Sequence, residues 1–548
     1  MDTIDLILSA HEDMESTRGN WESLWESVAR LVLPRGDDFK SRHSPGDQRN
    51  HRQYDAFPMA ALDKFAAALE AGLMPRTTIW HRLTTGDQDL DNERDVGVYL
   101  DELNNLLWTT RYSPRANFAS QAHEVRLSLG AFGTGAMLVE PREGGGVQYS
   151  SIHLSEIYIR QNYFGVVDTV HRKFCLTARQ AVQLFRDAAP EKIIAEYNSG
   201  KVGKRFEFIH AVMPREDYER GRMDMKGKPW AGSYVFPEGK AIVREDGYEE
   251  MPYLVPRYAT SSREVYGRGP GTMLLPDIAM LQEMRRTTIE AANMAVDPPV
   301  LLPDDAISEF DLAPGSRNYG AMDENGNHLA APWNSGVNLN IGLEMISDTR
   351  NQIDDGFLGV YFRVLLENPN MTATQAMLIA QQQGQMTAPA VGRMQTEWLN
   401  PLIRRESAIL YRQGRHPEIP PRLLEYLQEK NKTLDVEYVS PLTLAARSEE
   451  AVAILRTFEA LAPIAQIDPT IFKRFDNHEI AETVADVNGV PARVLKDEGQ
   501  MQAEQEREQA MQMAGMALEA APVAADTART LAEAQRLSQN NSAAVGRS

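Results

Sequence analysis

Residues 266–302 read YGRGPGTMLLPDIAMLQEMRRTTIEAANMAVDPPVLL, and no other stretch restricts the fold as much. A glycine- and proline-rich turn opens a helix of about 25 residues, roughly 37 Å long at 1.5 Å per residue. Asp297-Pro298-Pro299 stops it, because proline donates no backbone hydrogen bond and restricts the residue before it. Its apolar stripe is thin, with charges on its other faces. Small residues, Ala291, Ala292 and Ala295, close its end. Such a helix cannot complete a core alone. It needs neighbours on two sides, and copies of the same chain in a cyclic ring would supply them.

A second helix has the same character. Leu343, Ile346, Arg350, Ile353, Phe357, Val360 and Val364 step by three and four, a sustained seam that only Arg350 interrupts. Between the two helices, Asp297–Asn340 is rich in Pro, Gly, Asn and Asp and reads as an irregular module with little helix.

The rest of the chain is mixed α+β and mainly helical. Ile7, Met14, Trp21 and Val28 repeat at seven-residue intervals in a first helix. A second is expected over Tyr54–Leu73, with Phe57, Ala61, Phe65 and Leu69 on one side, and a third carries Val96, Tyr99, Leu103, Leu106 and Leu107. Ser113-Pro114 is the expected cap of a fourth that ends near Gly130. Strands follow at AMLVEP, VQYSSIHL, VVDTVHRKFCL, RFEFIHAVM and GSYVFP, interrupted by a helix with a capping box at Thr177 and Gln180. Thr372-Ala-Thr-Gln375 caps a long helix that Pro389 should kink before it runs to about Gln413. A strand at LDVEYV and helices near 443–462 and 477–488 come next. From Gln500 the chain suits either a helical extension or a mobile tail.

The net charge of −20 over 548 residues disfavours tight gripping of nucleic acid, which relies on Lys and Arg neutralising phosphates. One cysteine, Cys175, permits no intrachain disulfide and fits a reducing compartment. No run approaches a membrane span, and the acidic N-terminus is unlike a signal peptide, so a soluble product or a particle assembled inside a cell is expected. Catalytic patterns fail in turn. Gly221–Lys228 has the wrong spacing for a phosphate loop and reads as a basic hairpin loop. Gly267, Gly269 and Gly271 precede no βαβ unit and read as a flexible entry to the helix. Asp87–Asn92 lacks the glycine and final Glu of a calcium loop. His11-Glu12 and His123-Glu124 lack the second His of a zinc motif and are expected on solvated helix faces. Arg285-Arg286 and Arg404-Arg405 are expected at the surface. No catalytic group, cofactor or metal is expected.

Several strings in order then resemble the head-to-tail connector, or portal, proteins of short-tailed, podovirus-type bacteriophages: GLMPRTTIWHRL (72–83), YGRGPGTMLLPDIAMLQE (266–283), DPPVLLP (297–303), NMTATQAM (370–377), APAVGRMQTEWLNPLIRR (388–405), YVSPL (438–442) and NGVPARVL (488–495). The resemblance covers about residues 10–500. It departs at Gln375, where the family has Glu, and near Ile379 and Gln382, where the family is charged, so ion pairs around that helix are not carried over. The resemblance implies a dodecameric ring at one capsid vertex. Residues 1–265 would be the wing and 266–296 the first stem helix. Residues 297–342 would form the clip and 343–366 the second stem helix, followed by a channel loop at 367–372 made of Glu367, Asn368, Pro369, Asn370 and Met371. The long kinked helix and return to the wing would be 373–440, the crown 441–500, and a helical barrel or tail 501–548.

On that reading Ile278, Leu281, Ala291, Ala292, Ala295, Ile346, Ile353, Phe357 and Val360 pack between subunits. Double-stranded DNA passes through without sequence-specific binding, and the terminase, a tail adaptor protein, and capsid and scaffolding proteins are the implied partners, with no membrane. The particle would be assembled in the host bacterial cytoplasm. Two alternatives stay open: another helical structural or scaffolding protein of the virion, and a DNA-packaging enzyme with an unrecognised site.

Overall fold

The computed structural model of the chain describes residues 3–40, 53–91, 93–297, 339–358, 390–430 and 432–438, with short pieces at 44, 46–49, 299–301, 331–332 and 456–457 and single residues at 461, 480 and 507. The expected channel loop, nearly all of the crown, the C-terminal extension and the clip, residues 359–366 and the first part of the kinked helix lie outside the described residues.

The seven-residue repeat produces α1 (Thr3–Val32), which buries Ile7, Met14, Trp25, Val28 and Ala29 and leaves Trp21 half-buried. His11 and Arg18 lie on this inward face too. His11 is therefore not a solvated position: it is 4% exposed, stacked on His171 and edge-on to Tyr158. Arg18 is tolerated inside because its guanidinium donates to the Ile157 and Leu154 carbonyls at 2.5 and 2.8 Å and lies over the Tyr158 ring.

Helices α2 (Phe57–Leu73) and α3 (Arg94–Arg111) match their apolar spacing. The fourth, α4 (Phe118–Phe132), starts later than expected. Ser113 does not cap it; its Oγ donates to the Thr110 carbonyl at the end of α3, and Asn117 turns the chain at φ 58°. Between α2 and α3 lies β1 (His81–Thr84).

Strands β2 (Met137–Pro141) and β3 (Val147–Ser151) join β9 (Tyr253–Leu254) in a three-stranded antiparallel sheet of order β3-β2-β9. The larger sheet is an antiparallel meander of β4 (Ile157–Gln161), β5 (Val167–Thr177), β6 (Arg205–Pro214), β7 (Trp230–Phe236) and β8 (Ala241–Tyr248). The sequence reading had no strand at β4 or β8. Alternation along β6 sorts its two faces. Phe206 and Phe208 pack under α5 (Ala178–Phe185) and α6 (Glu191–Asn198). Ile209 and Ala211 meet Ile7 of α1 on the opposite face. The capping box opens α5 as expected, with Thr177 N donating to Gln180 Oε1 at 2.9 Å.

Next come α7 (Leu275–Val296), the short pair β10 (Val300–Leu301) and β11 (Ala331–Pro332), and α8 (Leu339–Gly356). A π-turn at Gln395–Leu399 precedes α9 (Asn400–Arg412). Pro401 has no N–H for the Glu397 carbonyl, which explains the local loosening. Helix α10 (Pro421–Glu429), absent from the sequence reading, and β12 (Asp435–Tyr438), expected from LDVEYV, follow. The described residues of 3–83, 103–417 and 436–438 form one compact unit, and those of 84–102, 418–435 and 446–548 a second.

Candidate functional site

The entry to α7 is held by backbone contact. A Cβ on Gly267 would stand 2.3 Å from the Gly133 carbonyl oxygen, one on Gly269 2.3 Å from the Leu129 carbonyl oxygen, and one on Gly271 2.8 Å from that of Ala131. All three glycines are thus pressed on the C-terminal end of α4, where only a residue without a side chain fits. Gly267 N donates to Thr134 Oγ1 at 2.8 Å and Arg268 N to the Ala259 carbonyl at 2.7 Å. The expected flexible entry is in fact a clamped corner.

Helices α7 and α8 run antiparallel. Gly342 approaches Thr288 at one end of the pair, and Gly356 approaches Leu274 at the other. The end near Leu274 is anchored in the main core, with Ile278, Leu281, Ile346, Ile353 and Phe357 at most 2% exposed. Phe357 meets the Phe65 ring edge-on. Gln282 supports the anchor: its Oε1 accepts the amides of Tyr54 and Asp55 at 2.8 and 2.9 Å, and its Nε2 donates to the Asp55 carbonyl. Arg350, the one polar interruption of the seam, pairs with buried Asp55 at 2.7 Å and lies over Phe57. Polarity at that seam position is spent inside the chain.

Ile278, Leu281, Ile346, Ile353 and Phe357, expected between subunits, are buried within the chain's own core together with residues of α2 and α4. Ala291 and Ala292 remain half-buried and Ala295 is exposed. Val360 and the channel-loop residues Glu367, Asn368, Pro369, Asn370 and Met371 lie outside the described residues. Leu343, expected in the seam, is 48% exposed. Among the described residues the second helix is Leu339–Gly356, and Leu358 lies at φ 61°. What the seam pattern missed is a row beside it: Met280, Ile289, Met294 and Val296 on α7, with Ile341 and Met345 on α8, are all exposed. A second apolar phase, one or two residues off the first, was the available signal.

Charge on the pair is mostly acidic. Glu283 and Glu290 flank Arg286, which bonds both. Glu344, Asp348 and Asp355 add carboxylates along α8. The β10–β11 pairing, Val300 with Pro332 and Leu301 with Ala331, ties the two ends of the insert together.

Elsewhere the titratable groups serve packing. Burial holds His11 down to about 4 and His171 to about 3. His210, also pushed to about 3 by burial, bonds the Tyr253 hydroxyl at 2.7 Å. Arg405, expected at the surface, is buried and donates to the Glu250 carboxylate and the Val139 carbonyl. Among the described residues no three His, Cys, Asp or Glu side chains gather as a metal site, and no helix is long and apolar enough to cross a membrane. Cys175 is exposed.

Comparison with known proteins bears on the whole chain. The chain is 28% identical over 543 residues to a probable portal protein of Bordetella phage BPP-1, covering 98% of this chain and 96% of that one. It is 26% identical over 538 residues to the portal protein of Salmonella phage epsilon15, covering 96% and 95%. The model of the bacteriophage head to tail connecting protein family matches residues 5–495. A match across nearly the entire length, on a mixed α and β chain with the clamped helix pair described above, establishes that this chain belongs to the bacteriophage head to tail connecting protein family.

Proposed function

We propose that the chain is a portal protein that assembles as a dodecameric ring at one capsid vertex. Double-stranded DNA would pass through the ring during packaging and ejection, and the tail would attach there. The observation that carries this reading is the α7–α8 pair: anchored at one end in the core, tied at the other by β10–β11, and uncovered along Met280, Ile289, Met294, Ile341 and Met345. Repetition of one heterologous contact around a closed ring would cover that row. Residues 1–265 with 373–440 would then be the wing, 266–296 and 343–366 the stem, 297–342 the clip, 367–372 the channel loop, 441–500 the crown, and 501–548 an extension of it.

The net charge of −20 per copy supports a wall that DNA phosphates slide past without adhering. The clip would meet the terminase during packaging and a tail adaptor afterwards, and the wing would meet capsid and scaffolding proteins. The ring would assemble in the host bacterial cytoplasm and remain in the virion. Electron microscopy of the purified protein tests this directly. Closed rings of twelve in top views are expected, and a monomer or an open filament would overturn the proposal. No ATP or DNA hydrolysis is expected from the purified ring, so sustained turnover would favour a packaging enzyme instead.

A further inference from the structure

We infer that residues 3–17 of α1 form an arm that mild acid releases from the large sheet, with His11 and His171 as the proton acceptors and the rest of the helix staying docked. The inference is independent of the ring reading.

The two halves of α1 are held differently. Trp25, Val28, Ala29 and Val32 are part of the main core, with Trp21 and Leu24 packed against it. Before Arg18 the helix buries only Ile7, His11 and Met14. Ile7 belongs to a separate small cluster with Ile209, Ala211 and Val235 of the sheet. Two ion pairs add to the attachment, Arg160 with Asp13 at 3.0 Å and Lys173 with Glu15 at 3.1 Å. Both reach solvent, and pairs of that kind contribute little. Arg18, fastened to the Ile157 and Leu154 carbonyls, marks the boundary. Gly19 follows with open space around it, and a glycine inside a helix weakens it there. A segment with so few buried apolar contacts opens before the whole molecule does.

The two histidines fill the centre of this weaker half. His11 is 4% exposed and His171 fully covered, their rings lie 19° from parallel, and none of the four ring nitrogens has a partner among the described residues. A proton taken up in place would meet Lys173 and Arg18 beside His11 and Arg160 beside His171, with Glu15 as the opposing carboxylate. Tyr158 of β4 sits edge-on to His11, its hydroxyl kept neutral by burial. Glu207 of β6 is drawn to Lys173 at 3.7 Å. His210 lies on the opposite face of β6, bonded to Tyr253.

The docked pocket therefore rejects the proton. Burial first, and these charges second, hold His11 at about 4 and His171 at about 3. When the arm leaves, His11 goes with it and His171 on β5 is uncovered, and in water each imidazole takes its proton near pH 6.5. Both docked values are lowered, so the released form binds two more protons. Release gains ground as pH falls below 6.5.

Hydrogen–deuterium exchange of the full chain between pH 6 and 5, corrected for the intrinsic rate, tests this, because carboxylates stay largely ionised across that window. Amides of residues 5–14 should lose protection about a hundredfold per pH unit, the signature of two protons, while those of residues 25–32 stay better protected at every pH. His171→Leu should cut the dependence to about tenfold per unit, and His11→Leu should do the same from the other side of the pair. Protection of residues 5–14 that does not change with pH would overturn the inference. Equal protection in the two halves of the helix would overturn it too, since the loss would then be global unfolding. The parent chain alone decides both outcomes, so a variant that fails to fold leaves the test intact.

Discussion

His11 and His171 stack at 5.8 Å inside the junction of α1 and the large sheet, and none of their four ring nitrogens has a hydrogen-bond partner among the described residues. Burial is the main reason both resist protonation, with Lys173 adding to it at His11 and the His11 charge at His171. An unfolded histidine takes up its proton near pH 6.5. As pH falls below that value the unfolded chain binds protons that the folded chain refuses, so stability declines until about pH 3 to 4 and then levels off. Replacing His171 with Leu should remove on the order of 3 kcal/mol of the loss between pH 6.5 and 4. Urea midpoints across that range measure it, and a slope equal to the parent's would refute the assignment. A second buried group is coupled differently. Arg111 and Glu406 are both within 1% of full burial, joined at 2.5 Å, with the Tyr149 hydroxyl on the same carboxylate at 2.6 Å. Removing one partner strands a charge, so Arg111→Leu should cost about 3–5 kcal/mol while the double change Arg111→Leu, Glu406→Leu costs much less. Equal losses in a denaturant titration would argue against the pairing as the source. Neither site could be read from the sequence, because His11, His171, Arg111 and Glu406 are far apart in the chain and polar. Only their contacts make them interior.

At the scale of elements, spacing worked where one face alone meets the core. The repeat of α1 buries Ile7, Met14 and Val28, and the three-four pattern of α8 buries Ile346, Ile353 and Phe357 while Leu343 stays exposed. It failed at β4, where Ile157, Tyr158 and Ile159 are all buried and no alternation survives, and at β8, whose Arg244, Glu245 and Asp246 mask an edge strand. It failed again at the helix corner, since glycine spacing does not distinguish freedom from close contact. The contact reading is testable. Gly269→Ala would force a methyl group against the Leu129 and Gly130 carbonyls, an overpacking that should cost about 1–3 kcal/mol. Gly144→Ala is a poor control because of its positive φ, whereas Gly203→Ala, with open space around it, should leave the melting temperature nearly unchanged. Equal melting temperatures for Gly269→Ala and the parent would restore the flexible-entry reading.

At the scale of the whole molecule, the two sets of apolar residues on α7 and α8 should separate folding from assembly. Family membership was legible because strings from residue 72 to 495 recur in order. The subunit face was not, because a seam of threes and fours looks the same whether its own chain or a neighbour covers it. In the structure Ile278 and Ile353 are fully covered by their own chain, whereas Met280 is 44% exposed and Ala292 half-buried. Ile353→Ala should therefore lower the stability of the isolated subunit by about 2–5 kcal/mol, the range for emptying a packed core position. Met280→Asp and Ala292→Trp should leave the subunit's melting temperature within a degree or two of the parent, because solvent already reaches both positions. They should instead reduce ring yield, the first by placing a charge at an apolar contact and the second by overfilling it. Melting curves of dissociated subunits read beside ring counts from micrographs measure the two effects separately. If Ile353→Ala leaves the subunit intact and abolishes rings, or Ala292→Trp assembles normally, then the exposed row of this helix pair does not face the neighbouring copy.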